Sequence, residues 1–187
     1  MFGGSHGDGY NFGSSSSQVF VGVGGADTIN GGYGTVAPEI FVSGAERLVV
    51  TGSQPVTVVS LASGGVIDTS ATAGNNVVFA GFGSVGNQTL IGSAPGIDAA
   101  GIPTHDTFVA DADPAGVATV ISIENWHSGD VFYLSGFTTA DADVMDAAIS
   151  DSLGHGASGD LSFTLGDKTT IAFVGSHPTN FTANAAF

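Results

Sequence analysis

The hydrophobic pattern between residues 39 and 92 is a series of short β-branched runs, each five or six residues long. Turns rich in Gly, Ser, Asn and Pro separate the runs, which is typical of short strands joined by tight turns. The runs predict strands at EIFVS (39–43), RLVVT (47–51), VTVVSL (56–61), GVIDTS (65–70), NVVFA (76–80) and QTLIG (88–92). The even spacing predicts an all-β fold, either a parallel β-solenoid (β-roll) or a β-sandwich. The glycine-rich start and the absence of long hairpin strands favour the solenoid.

A nine-residue pattern precedes these strands. In the frame Gly22–Asn30, glycine stands at positions one and four, Asp27 at position six and Ile29 at position eight. With one residue inserted at Phe12, the frame at residues 3–11 supplies Asp8 and Tyr10 at the same two positions. The frames are GGSHGDGYN (3–11), GSSSSQVFV (13–21), GVGGADTIN (22–30) and GGYGTVAPE (31–39), with a weaker copy at GSVGNQTLI (83–91).

These frames resemble the nonapeptide G-G-x-G-x-D-x-U-x of the RTX (repeats-in-toxin) family of bacterial calcium-binding β-rolls. The resemblance implies that position eight points into the core, and that Asp carboxylates and turn carbonyls bind Ca²⁺. It also implies that Asp8 and Asp27, 19 residues apart, stack in adjacent coils. Gln18 and Val36 replace the aspartate, so at most two family-type sites are expected. The implied metal ligands are Gly4, His6, Asp8, Gly24, Ala26, Asp27, Gly32 and Gly34, with Asp111 and Asp113 as further candidates.

The chain after residue 100 predicts a closing and capping region that continues the repeats of residues 1–100. His105–Phe137 resembles the segment that closes RTX-type β-rolls, and Asp160–Gly175 resembles their terminal β-hairpin. Between them the spacing predicts one helix over about 139–150, capped by Thr139. Acidic residues favour its first turn, and its predicted apolar stripe is Val144, Met145, Ala148 and Ile149.

Charge narrows the function classes. The 187 residues include 17 acidic residues but only Arg47 and Lys168 as cations, which gives a formal net charge of −15. This charge excludes nucleic acid and anionic membrane surfaces as partners. It also argues against an enzyme acting on acidic polysaccharides, which needs a cationic groove. The chain has no cysteine, and it has no apolar stretch long enough to predict membrane insertion.

Several residues that suggest chemistry have a simpler interpretation. The five histidines are scattered beside turn residues, so exposed positions are favoured over zinc ligands. Trp126 is interpreted as a buried residue rather than a platform for a sugar. Asp111 and Asp113 are interpreted as part of a solvated turn, with calcium binding as the alternative.

We therefore expect a non-enzymatic, secreted structural protein of the cell surface, stabilised by calcium. Only Met1 and Phe2 precede the first frame, so an uncovered N-terminal edge predicts head-to-tail polymerisation into a filament, surface layer or biofilm matrix. The initiator methionine favours a complete protein, and the RTX resemblance implies type I secretion through a C-terminal signal. The alternatives are an adhesin module that binds a surface glycan, or a secretion and folding domain of a larger RTX protein. A polysaccharide-acting enzyme is disfavoured.

Overall fold

The computed structural model describes residues 6–11, 19–22, 24–30, 38–44, 46–61, 64–80, 86–98, 101–113, 115–153 and 159–178. These residues form a mostly β structure with one helix, α1 (Thr139–Leu153). The strands are β1 (Gly9–Asn11), β2 (Val19–Gly22), β3 (Gly25–Asn30), β4 (Glu39–Val42), β5 (Glu46–Gly52), β6 (Thr57–Ser60), β7 (Gly65–Thr72), β8 (Val77–Ala80), β9 (Gln88–Ile91), β10 (Thr107–Asp111), β11 (Thr119–Glu124), β12 (Val131–Ser135), β13 (Leu161–Thr164) and β14 (Thr169–Val174).

The strands form two sheets, and successive strands from β1 to β12 alternate between them. The eight-stranded sheet has the order β1-β3-β5-β7-β9-β11-β14-β13, and the six-stranded sheet has the order β12-β10-β8-β6-β4-β2. All pairs are parallel except the antiparallel hairpin of β13 and β14. Each connection between parallel neighbours of β1 to β12 therefore passes through one strand of the other sheet.

The core is made of aligned rows of side chains. In the six-stranded sheet, one buried row consists of Ile40, Val58, Val78, Phe108 and Phe132. In the eight-stranded sheet, the corresponding row consists of Leu48, Ile67, Leu90, Ile123 and Phe173. Because side chains alternate between the two faces of a strand, every second residue enters the core. Aliphatic and aromatic groups therefore stack on like groups along the direction of the backbone hydrogen bonds.

The six strands predicted between residues 39 and 92 are all present as β4 to β9. The predicted hairpin is present as β13 and β14, and the inward position of Ile29 is confirmed by its complete burial. Both sheets run across residue 100, since β8 pairs with β10 and β9 with β11. The described part of the chain contains no helix that is long and apolar enough to cross a membrane.

The helix differs from its prediction in its cap and in its apolar stripe. Met145 and Ile149 are buried in the core, but Val144 is 42% exposed, so the stripe is narrower than predicted. The N-cap is Thr138 rather than Thr139. The Thr138 hydroxyl and N–H both donate to Asp141 Oδ2, at 2.6 and 3.0 Å, while the Asp141 N–H lies 3.4 Å from the same hydroxyl. This reciprocal arrangement is a capping box.

Asp141 also joins the helix to the hairpin. The Gly166 N–H, in the turn between β13 and β14, donates to Asp141 Oδ1 at 2.6 Å. Burial alone would raise the pKa of Asp141. Hydrogen bonds from the Thr138 hydroxyl, the Gly166 N–H and the Thr138 N–H stabilise the charged form more strongly, so the pKa lies below its ordinary value of 3.8.

Replacing this carboxylate should destabilise the C-terminal end. Asp141→Ala removes the three bonds made by Thr138 and Gly166, and we expect a loss of about 1–3 kcal/mol in the free energy of unfolding, measured by urea denaturation. The contribution should be complete above pH 3.8 and should disappear as the pH falls through the lowered pKa. Asp143→Ala, at an exposed position of the same helix, is the control. Equal stability of the two variants at neutral pH would contradict this role.

Candidate functional site

The structure places Asp8 beside Asp27, in the first two strands of the eight-stranded sheet. Strand β1 pairs with β3 so that Gly9 lies opposite Thr28. The Asp8 N–H donates to Asp27 Oδ1 at 2.8 Å, and the Thr28 N–H donates to the Asp8 carbonyl at 2.8 Å. The Tyr10 hydroxyl lies 3.1 Å from Asp8 Oδ2. The two aspartates therefore stack in neighbouring strands, as their separation in the sequence predicts.

Asp27 is a carboxylate inside an apolar row. It lies opposite Leu48 in the row that continues through Ile67 and Leu90, and it is 1% exposed. Among the described residues, its Oδ2 atom has no hydrogen-bond partner. A buried carboxylate oxygen without a partner loses its hydration and gains nothing in return, so it favours either a proton or a cation.

Two glycine turns meet at this site with their backbones in contact. A Cβ atom on Gly25, whose φ is +107°, would lie 2.8 Å from the carbonyl carbon and oxygen of His6. A Cβ atom on Gly7 would lie 2.7 Å from the carbonyl oxygen of Ala26. Only glycine allows this approach, which brings the predicted turn carbonyls of His6 and Ala26 together. The remaining predicted ligands Gly4, Gly32 and Gly34 lie outside the described residues.

Asp111 and Asp113 lie elsewhere, at the end of β10 and in the turn that follows. Asp113 is buried, so its interpretation as part of a solvated turn was wrong. Its Oδ1 and Oδ2 accept the N–H groups of Ala115 and Val117 at 2.8 and 3.1 Å. Its own N–H donates to Asp167 Oδ2 at 3.0 Å, which ties the turn to the C-terminal hairpin. Across the described ranges, no three His, Asp or Glu side chains are grouped to hold a metal ion.

A second polar arrangement, which the sequence did not reveal, follows the six-stranded sheet. The Val56 N–H donates to Asn76 Oδ1 at 3.2 Å, the Asn76 N–H to Asp106 Oδ1 at 2.9 Å, and the Asp106 N–H to Asp130 Oδ1 at 2.8 Å. Each of these residues immediately precedes a strand, and each side chain accepts from the aligned residue of the preceding strand. We call Asn76, Asp106 and Asp130 the Asx ladder. The bond from Asp8 to Asp27 has the same form.

Asp106 is the most extensively bonded carboxylate of the Asx ladder. It is buried, and besides the Asn76 N–H it accepts the Asn76 side-chain amide at 2.8 Å. Its Oδ2 accepts the N–H and the hydroxyl of Ser93 at 2.6 and 2.9 Å. Asp106 therefore has four donors from two different turns. Its position directly before a strand was the only signal in the sequence, because the ladder residues are 30 and 24 positions apart.

The histidines and Trp126 take different environments. His6 is exposed, as predicted, but His177 is 5% exposed, so the prediction of an exposed turn residue was wrong there. His105 is half-buried, and its Nδ1 has no partner within the described structure. Trp126 is buried, as predicted, with its ring edge-on to Phe173 at 5.2 Å. A ring in this position offers no face to a sugar.

Burial raises the pKa of Asp130 above its ordinary value of 3.8. The N–H groups of Asp106 and His127 oppose this shift, and the nearby Asp106 carboxylate adds to it. The His127 N–H donates to Asp130 Oδ2 at 2.8 Å, and His127 Nδ1 lies 3.9 Å from the same oxygen. Protonation of Asp130 is therefore favoured by its own burial and by the next carboxylate of the ladder.

The raised pKa predicts a stability component with a defined sign. The folded protein holds the Asp130 proton more tightly than the unfolded chain, so the free energy of unfolding should fall as the pH rises from 3.8 through the raised pKa. Carboxyl ¹³C NMR should give a titration midpoint for Asp130 above 3.8, and Asp130→Asn should remove this part of the pH dependence. The exposed Asp146 should titrate near the ordinary value for an aspartate and serves as the reference. A midpoint for Asp130 at or below that of Asp146 would contradict the assignment.

A scan against protein-family models, a search of curated proteins and a search of solved structures found no match to this chain. The resemblance to RTX repeats therefore rests on the residues of the repeat frames.

Proposed function

We propose that this chain is a non-enzymatic, secreted structural protein, a parallel β-roll that assembles head to tail at the cell surface or in an extracellular matrix. The observation that carries the proposal is the state of the sheet ends. Strands β1 and β2 at one end, and β12 at the other, each pair with one described strand only. A strand with one open side is a template for a further strand.

The β-roll is supported by the alternation of strands and by the regular register. Gly25 lies opposite Glu46, and Glu46 lies opposite Gly65, which are separations of 46 − 25 = 21 and 65 − 46 = 19 residues. Two strands and two turns account for this length, so one coil places one strand in each sheet. The Asx ladder and the stacked core rows repeat with the same coil. Stacked coils of this kind contact only their neighbours.

Head-to-tail assembly follows from the polarity of this stack. A second copy whose β2 lies beside β12 would extend the six-stranded sheet by parallel strands. At the same contact, β1 of one copy would face β13 of the other, where the eight-stranded sheets end. The two surfaces differ, so the contact is heterologous and produces a filament rather than a closed dimer.

A non-enzymatic role is supported by where the two cations lie. Arg47, on β5, is 3.3 Å from Asp68 on the neighbouring β7, so its charge is partly neutralised. Lys168 lies in the turn between β13 and β14. These cations belong to different elements, and a groove for an acidic polysaccharide would need several cations together.

Calcium binding at the first coils is part of the proposal. The buried Asp27 Oδ2, the adjacent Asp8 and the facing carbonyls of His6 and Ala26 supply oxygen atoms, which are the ligands Ca²⁺ prefers. An ion there would neutralise a buried carboxylate and would reduce repulsion between acidic copies. Calcium would therefore favour both folding and assembly.

Calcium should raise the melting temperature through Asp27. Because the ion binds only the folded state, we expect about 2.7 kcal/mol of stabilisation at 100 times the dissociation constant, measured by thermal circular dichroism with and without EDTA. Asp27→Asn keeps an acceptor for the Asp8 N–H but removes the charge, so this variant should lose the calcium response. Asp146→Asn should retain it. Identical melting curves for the native chain in calcium and in EDTA would refute the site.

Assembly should join unlike ends. The chain has no cysteine, so Asn11→Cys on β1 and Ser162→Cys on β13 introduce single exposed thiols at opposite ends of the eight-stranded sheet. With calcium and a short bismaleimide, a mixture of the two variants should form cross-linked dimers, whereas each variant alone should not. Electron microscopy of the native chain should show filaments. Equal cross-linking within one variant, or a monomer at high concentration, would overturn the proposal.

A further inference from the structure

The six-stranded sheet has a second apolar face, directed away from the core. Its central row, which we call the outer row, crosses five neighbouring strands in register. The row consists of Phe41, Val59, Phe79, Val109 and Tyr133. These residues alternate with the buried ones along their strands, and none belongs to the core cluster. The sheet is therefore apolar on both faces.

The outer row is flanked by further uncharged side chains. The adjacent row consists of Thr57, Val77, Thr107 and Val131. The charged residues on this face are Glu39 and Asp111, each at the end of its strand and on a different strand. In contrast, the corresponding face of the eight-stranded sheet carries Arg47, Asp68 and Glu124. The two outward faces thus differ in chemistry.

Parallel strands that are apolar on both faces are normally covered on both faces. The described helix packs against β13, in the other sheet, and leaves the outer row to solvent. We propose that the outer row binds a second copy of this chain, face to face, as a lateral contact distinct from the ends of the stack.

Charge favours a copy of the same chain as the occupant. Two molecules of net charge −15 repel each other over most of their surfaces. The outer row is where two copies can meet without opposing carboxylates at the centre of the contact. Glu39 and Asp111 lie at its margins, where water can solvate them. The contact would therefore strengthen when added salt screens the remaining repulsion.

The order of side chains in the outer row suits pairing with itself. Large and small residues alternate as Phe, Val, Phe, Val, Tyr at a strand spacing of about 4.8 Å. A two-fold axis midway between β6 and β8 sets Val59 against Phe79 and Phe41 against Val109. An axis midway between β8 and β10 sets Phe79 against Val109 and Val59 against Tyr133. In either register each ring meets a valine, as interdigitated layers require.

The size of the face sets the strength of the contact. Five strands about 4.8 Å apart and two rows about 7 Å apart cover roughly 300–400 Å², including the reach of the side chains. A stable dimer buries about 800 Å² on each partner. A single pair of copies should therefore associate weakly. Copies aligned in a filament would add many such contacts and would bind each other much more tightly.

The test is a concentration series in the analytical ultracentrifuge, with calcium present throughout. The native chain should show a dimer of limited size whose population rises with concentration and with salt. Phe79→Glu places a charge in the centre of the outer row and should raise the dissociation constant at least tenfold. Val66→Glu makes the same kind of change on the outward face of the eight-stranded sheet, beside Arg47 and Thr89, and should leave it unchanged. Circular dichroism of both variants would show that each remains folded.

Cross-linking identifies the register and separates this contact from end-to-end assembly. With a short bismaleimide, Val59→Cys should give dimers if the axis lies between β6 and β8, and Val109→Cys if it lies between β8 and β10. Val66→Cys should give none. A two-fold contact stops at two copies, whereas end-to-end contacts continue, so failure of one proposal leaves the other testable. A native chain that stays monomeric at about 1 mM in high salt, or self-association unaffected by Phe79→Glu, would overturn the proposal. Binding of the monomer to neutral phosphatidylcholine vesicles through this face would overturn it in favour of a lipid partner.

Discussion

The buried backbone at the start of each strand is the constraint on which this structure depends. A chain that passes from one sheet to the other after every few residues brings its turns close to the core, where each N–H must find an acceptor. Asn76, Asp106 and Asp130 provide acceptors for the preceding strand, and Asp27 does so in the other sheet. Side-chain oxygens thus continue the hydrogen-bonded stack beyond the ends of the strands, and they fix which residues lie opposite each other.

The same solution introduces negative charge into the core. Asp106 is stabilised by four donors, so its charge is well solvated by the protein itself. Asp130 is less well supplied, and burial raises its pKa, whereas the donors around Asp141 lower the pKa there. Asp27 has one oxygen without a partner among the described residues. The cost of these carboxylates therefore depends on how many donors each turn can offer.

Much of the fold was predictable, because β-branched runs separated by Gly and Asn turns determine strand positions locally. The predictions failed where contacts between distant residues decide the outcome. The Asx ladder was hidden because an excursion at residues 93–104 separates Asn76 from Asp106 by 30 residues and breaks the period. Asp113 is buried because Asp167, 54 residues away, accepts its N–H. Val144 is exposed because the helix is packed from one side only, against the hairpin.

The pairing of β11 with β14 has a consequence for the order of folding. Up to β12, each strand joins a neighbour formed about twenty residues earlier, so each new contact closes a short loop at a small cost in entropy. Thr119 and Thr169 are 50 residues apart, and α1 lies between them. Closing this larger loop costs more entropy and requires a finished β11 as its template. The stack can therefore grow progressively along the chain, and the hairpin docks last, as the step that makes the fold cooperative.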